Sequence, residues 1–129
     1  MGFLAGLAAA WARLRPYIVS VEGESMVPTL LPGQLVLVAR GLRPRAGNIV
    51  VVEGPDGVAM VKRISAGPGD EAMPGWVLGP EEWLVLGDNR EASTDSREFG
   101  ALPGSAIRGK VVLTLKSCPC RQRSAAGGS

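Results

Sequence analysis

The sequence predicts a mostly β fold, a compact antiparallel β-barrel or folded sheet with a short helix ahead of it. Three observations carry that expectation. The 129 residues include 18 glycines and 10 prolines, a composition that breaks the chain into short pieces joined by turns. Between the breaks stand short runs rich in Val, Ile and Leu, with the length and composition of strands. Helical periodicity is confined to residues 3–15. A chain of this length forms one domain with a modest core.

Residues 3–15 are apolar and alanine-rich. Leu4, Leu7, Trp11 and Leu14 recur at helical spacing, Arg13 and Arg15 suit a helix C-terminus, and Pro16 ends it. The apolar run stops at Ala12. A dozen helical residues reach about 18 Å, against roughly 30 Å of bilayer hydrocarbon, so no transmembrane span is expected. With no cationic residue ahead of the run, it does not read as a cleavable signal peptide either. Residues 1–16 therefore suit equally a helix packed on the domain's own core and a short segment lying on a membrane surface.

Strand-like runs follow at Tyr17–Glu22, Gln34–Ala39, Asn48–Glu53, Val58–Ile64, Trp83–Leu86 and Ala106–Leu115. Leu-Pro-Gly at 31–33, Gly-Pro-Asp-Gly at 54–57 and Gly-Pro-Gly-Asp at 67–70 supply the turns between them. Many short strands in so small a chain point to a closed or folded antiparallel sheet. Residues 17–116 form the expected core domain, and the Gly/Ser/Arg-rich stretch 117–129 reads as a flexible tail.

Composition excludes several functions. A net charge of +2, with basic residues scattered and no aromatic-interleaved stripe, argues against nucleic acid as a partner. The chain has no histidine, which removes Ser-His-Asp and Cys-His catalysis and histidine-based metal sites. Cys118 and Cys120 cannot complete a four-ligand zinc site by themselves, and a disulfide across one proline would be strained. No metal and no cofactor are expected.

Without histidine, an activated serine needs another base, and lysine is the usual substitute. A lysine base must be neutral at working pH, which burial achieves by penalising the ammonium. Strand alternation in Val58–Ile64 puts Lys62 on one face with Val58, Met60 and Ile64, and Arg63 on the other. Such a lysine is either functional or a side chain snorkelling from a strand edge, and the strand alone favours the second. Lys110 also lies in a strand-like run. The nucleophile candidate is Ser25, placed where a strand runs into Gly23 and the chain must turn before Pro28. Such a junction can expose a hydroxyl and aim backbone N–H groups at an oxyanion, or simply use serine as a helix N-cap. The segment 87–100 is dense in Asp, Asn, Ser, Thr and Arg directly after an apolar strand. It is either a solvated loop with internal turns or a buried polar network that orients a neighbouring base.

Together these segments resemble a known family. Ser-Met-Val-Pro-Thr-Leu (25–30), Val-Lys-Arg-Ile (61–64) with Gly-Pro-Gly-Asp (67–70), and Gly-Asp-Asn-Arg-x-x-Ser-x-Asp-Ser-Arg-x-x-Gly (87–100) resemble the ordered motifs of bacterial type I signal peptidases. Gly-Asn-Ile-Val-Val (47–51) resembles the intervening strand motif, with Asn48 where aspartate is usual. Three motifs in order at close spacing are highly specific. The resemblance runs from about Tyr17 to Leu115.

It implies that Ser25 attacks the scissile carbonyl and Lys62 accepts its proton, with Ser93 orienting the lysine. Asp95 and Arg97 would form a supporting ion pair, Asp88 and Asn89 would hold the loop, and the Ser25 N–H would be one oxyanion donor. Many relatives carry a hydroxyl two residues before the nucleophile, where this chain has Gly23. The implied activity is endoproteolysis through an acyl-enzyme, after Ala-x-Ala-type sites in precursor polypeptides bound as an extended strand; no substrate-binding residue is singled out. The implied location is the bacterial cytoplasmic membrane, peripheral or weakly anchored, with the catalytic domain outside; a soluble cytoplasmic enzyme is the alternative. Only residues 71–86 stand where longer relatives carry a large insertion. That brevity also fits the maturation proteases that trim one dedicated precursor, such as nickel-type superoxide dismutase. A non-catalytic peptide-binding module is the remaining alternative.

Overall fold

The computed structural model describes residues 14–115. The helix expected before Pro16 therefore lies almost wholly outside the described residues, as do Cys118, Cys120 and the tail. The long strands are β1 (Tyr17–Ser20), β2 (Leu35–Ala39), β3 (Ile49–Glu53), β4 (Ala59–Ala66), β7 (Glu82–Leu86) and β9 (Ile107–Thr114). Each falls within two residues of the expected bounds at either end. Three shorter ones join them: β5 (Glu71–Met73), β6 (Trp76–Val77) and β8 (Leu102–Pro103). A four-residue helix, α1 (Ser96–Phe99), follows β7, and single 3-10 turns occupy Arg90–Ala92 and Gly104–Ala106.

The main sheet has the order β1-β2-β9-β3-β4-β7-β8 and is antiparallel throughout, curled into a half-barrel. β5 and β6 make a separate hairpin around Pro74-Gly75, with Gly75 at φ +84°, the left-handed conformation that a Pro-Gly turn demands. Register slips where β2 and β3 meet β9 and where β4 meets β7, and such bulges help a sheet curl.

The sheet buries both faces. On β3, Val51 belongs to a cluster with Val21, Met26, Leu30, Val36 and Val38, while Val50 and Val52 join Ile64, Val85 and Leu102 on the other side. This explains why β3 reads as an unbroken Ile-Val-Val-Val run. Val50 and Lys62 are register partners, so Lys62 emerges on the face of the second cluster, one residue before β7 begins to pair with β4. The turn that carries Ser25 covers the first cluster through Met26 and Leu30, both essentially without solvent exposure.

β9 crosses the middle of the sheet at Gly109, where an added Cβ would lie 2.5 Å from Val38 Cγ1 and 3.3 Å from the Ala39 carbonyl oxygen. Gly109→Ala is therefore expected to destabilise the fold by about 1–3 kcal/mol through overpacking. Thermal unfolding followed by circular dichroism should show a fall of several degrees in Tm.

Candidate active site

β4 carries Lys62 into the interior, where it is 3% exposed. Paired with Val50 of β3 and buried although β7 joins β4 only from Arg63 onward, this is not a lysine snorkelling to water. Its Nζ donates to Ser93 Oγ at 2.9 Å. The Ser93 hydroxyl in turn donates to Asp95 Oδ2 at 2.9 Å. Burial pulls the Lys62 pKa below its usual 10.5; the Asp95 carboxylate opposes that shift, Arg97 reinforces it and Glu98 opposes it. The result is an ammonium that gives up its proton more easily than an exposed lysine does, hydrogen-bonded on one side to a fixed hydroxyl.

Asp95 has no solvent exposure and caps α1, its Oδ1 accepting the Arg97 N–H at 3.1 Å and Arg97 Nε at 2.9 Å. Its Oδ2 also accepts the Gly87 N–H at 2.9 Å and Arg97 Nη2 at 3.2 Å. Burial alone would raise its pKa, but the bonds from Arg97, Gly87 and Ser93 outweigh that and bring it down to about 2. Ser96 is spent on the fold: its hydroxyl accepts the Val85 N–H at 2.9 Å. The segment 87–100 is thus a solvated loop at Arg90–Ala92 and a buried network at Ser93, Asp95 and Ser96.

Asp88 and Asn89 reach the other way. Asn89 donates its backbone N–H to the Ser25 carbonyl at 2.7 Å and its side-chain amide to the Glu24 carbonyl at 3.1 Å. Asp88 takes a two-pronged bond from Arg63, Nε and Nη2 each at 2.9 Å, and another from Thr29 Oγ1 at 2.5 Å. The Arg63 bond chiefly holds the Asp88 pKa below its usual value; burial opposes this and Thr29 assists. Arg63 also donates Nη1 to the Gly47 carbonyl at 2.8 Å. Gly87 sits between the two groups: a Cβ there would fall on the Ser93 side chain and 2.8 Å from the Ser25 carbonyl oxygen.

Ser25 begins a hydrogen-bonded turn, not a helix, and is half-buried. Gly23 before it has φ +73° with open space where a side chain would stand. Ser25 and Lys62 line one cavity of about 280 Å³ with Val19, Ser20, Glu22, Val51, Ala59, Met60 and Val61. Ser25, Lys62, Ser93, Asp95, Arg97, Asp88 and Asn89, distant in sequence, are thereby gathered at one place. Sequence reasoning missed Arg63, Thr29 and Gly87. Arg63 had a signal: alternation put it opposite Lys62, facing whatever packs on the far side of β4. Among the described residues, no cluster of His, Cys, Asp and Glu could hold a metal ion.

The chain matches the family model described as signal peptidase, peptidase S26, over residues 1–75 and 71–116. It is 42% identical to mitochondrial ATP-independent inner membrane protease subunit 1a of Arabidopsis thaliana over 122 aligned residues, covering 77% of this chain and 71% of the relative. Mitochondrial inner membrane protease subunit 1 of Xenopus tropicalis is 31% identical, with 76% and 68% covered. Signal peptidase IB of Staphylococcus aureus is 30% identical over 146 aligned residues, with 74% of each chain covered.

Two stability effects follow from the buried charges. Asp95 titrates at about 2 in the fold against 3.8 unfolded, so its contribution, about 2 kcal/mol, is present above pH 3.8 and lost as pH falls through 2. Asp95→Asn should cost at least that much at pH 7, measured by urea unfolding, and the difference from wild type should shrink below pH 3. Lys62 has the opposite sign: its pKa is lowered, so the buried ammonium costs stability at neutral pH and the cost fades as pH approaches 10.5. Lys62→Met should therefore raise the urea midpoint at pH 7 and raise it less at pH 10.5.

Proposed function

Because the chain belongs to the signal peptidase family, peptidase S26, and is a protease by that membership, we propose that it cleaves with Ser25 as nucleophile and Lys62 as general base. The reading is carried by one observation: Lys62, desolvated and hydrogen-bonded to Ser93 at 2.9 Å, lines the same cleft as Ser25. Asp95 accepts the Ser93 proton, so Ser93 Oγ is free to accept an N–H from the amine. That leaves the Lys62 lone pair for the Ser25 hydroxyl. As Ser25 Oγ attacks the scissile carbonyl, its proton passes to Lys62 Nζ. Lys62 returns the proton to the departing amine, leaving an ester on Ser25. Water, deprotonated by Lys62, then hydrolyses the ester and releases the enzyme. Among the described residues the Ser25 N–H has no acceptor, and it serves as an oxyanion donor. Gly23 offers no hydroxyl for a second.

The substrate is a precursor polypeptide bound as a strand and cut after an Ala-x-Ala-type segment. β1 is the edge of the sheet, and Ala59–Lys62 of β4 pairs on its β3 side only, because β7 joins from Arg63 onward. Two free strand edges thus flank the cleft, and an extended peptide can add to them through its backbone. Residues 17–116 act as the catalytic domain. Residues 1–16 bring it to a membrane surface, in a bacterium the outer side of the cytoplasmic membrane. No helix among the described residues is long and apolar enough to cross a membrane. A second reading, a maturation protease for one dedicated precursor, is favoured by the small β5–β6 hairpin that fills the interval between the Lys62 and Ser93 motifs.

The test is cleavage of a precursor with an Ala-x-Ala site, in mild detergent at pH 8. Ser25→Ala and Lys62→Met should each lose at least about a thousandfold in kcat/KM, and Ser93→Ala about ten- to a hundredfold. Full activity in folded Ser25→Ala would end this mechanism. Since Lys62 must be neutral, log kcat/KM should climb with pH and level off below 10.5, where its lowered pKa lies; a flat profile from pH 5 to 9 would contradict the assignment.

A further inference from the structure

The cleft beside Ser25 carries a carboxylate that the chemistry above does not use. Glu22 lines it together with Ser20, Ser25 and Lys62, against the apolar Val19 and Met60. The ion pairs among the described residues join Arg63 to Asp88, Arg97 to Asp95 and Arg108 to Glu53, and none engages Glu22. Nor does its side chain take a hydrogen bond within that part of the chain. Glu22 is the one acidic residue lining the cavity, and Lys62, the other ionisable group there, is buried.

Its orientation follows from strand alternation. From β1 to the nucleophile turn, Val19 is half-buried and Val21 buried, whereas Ser20 and Glu22 are exposed. A peptide strand laid along this edge alternates in the same way, paired residues pointing to the same face. If its residues one and three before the cut point inward on the side of Val19 and Val21, the residue between them points outward on the side of Ser20 and Glu22. We propose that Glu22 selects a cationic side chain, lysine or arginine, at that middle position, so that the preferred sequence is small–basic–small. The inference rests on the reading of the cleft as the substrate site, and adds to it a position that small, shallow pockets leave unspecified.

An exposed ion pair is weak and screened by salt, so the preference is a modest one. The experiment compares three peptides, Ala-Lys-Ala, Ala-Gln-Ala and Ala-Glu-Ala in one flanking sequence, by cleavage with the wild type and by fluorescence-anisotropy binding to Ser25→Ala. The expected order of kcat/KM and of affinity is Lys over Gln over Glu, about threefold per step at low ionic strength and nearly level in 0.5 M salt (roughly a 4 Å screening length). Glu22→Gln should bring the Lys peptide down to the Gln peptide, and Glu22→Lys should reverse the order. Equal cutting of all three peptides, or a preference that survives Glu22→Gln, would overturn the inference and leave the proteolytic reading intact. Charge-selective binding without cleavage would do the reverse. Absence of both binding and cleavage would sink the two together.

Discussion

A carboxylate with no access to water is the constraint around which this site is built. Asp95 must find hydrogen-bond donors for both oxygens or lose its charge, and it finds them on separate stretches of chain: the Gly87 N–H at the end of β7, the Ser93 hydroxyl, and the backbone and guanidinium of Arg97 in α1. Each donor is fixed in position by meeting that demand. Ser93 is consequently locked as a donor to Asp95 and is available to Lys62 only as an acceptor. The direction of every proton in the chain from Arg97 to Lys62 follows from one buried negative charge.

The second acidic residue of the segment works by a different logic. Asp88 is partly exposed and spends its charge on Arg63, the neighbour of Lys62 on the opposite face of β4. Thr29 binds the same carboxylate, and Asn89 beside it holds the Ser25 and Glu24 carbonyls. Lys62 and Ser25 are thus tied to the same short stretch, residues 87–95, one through Ser93 and the other through Asp88 and Asn89. Gly87, which has no room for a side chain between Ser93 and Ser25, lets the two halves close on each other. Adjacent residues of one strand therefore reach two polar systems, and the sheet separating them keeps the Arg63 charge on the other face from Lys62.

Most of the fold was legible because it rests on local signals. The six longer strands follow from Val- and Ile-rich runs bounded by Gly/Pro turns, and the order of the sheet does not affect that reading. β8 escaped because two residues, one a proline, carry no periodicity, and β5–β6 because Glu71–Val77 offers only a Pro-Gly turn between short, exposed runs. In the site, the residue types of 87–100 marked a polar network but not its partition. That Asp95 lies buried and Arg90 outside depends on packing against β7, which no spacing encodes. Arg63 was invisible as a partner of Asp88 for the same reason: their pairing exists only once β4 and β7 are side by side.

Gly23 shows how a backbone angle can bind the future of a sequence. Its φ of +73° lies where an L side chain is strained, although the space around it is open. A serine there would meet no atom, yet would cost about 1–2 kcal/mol of conformational strain. The approach to Ser25 is therefore closed to a new hydroxyl by its own curvature and not by crowding. A lineage starting from this chain cannot gain that group by one codon change without a penalty unless the turn ahead of Ser25 is redrawn first. In that sense the glycine is a ratchet, and the loop conformation, more than the pocket, decides which variants of the chemistry stay within reach.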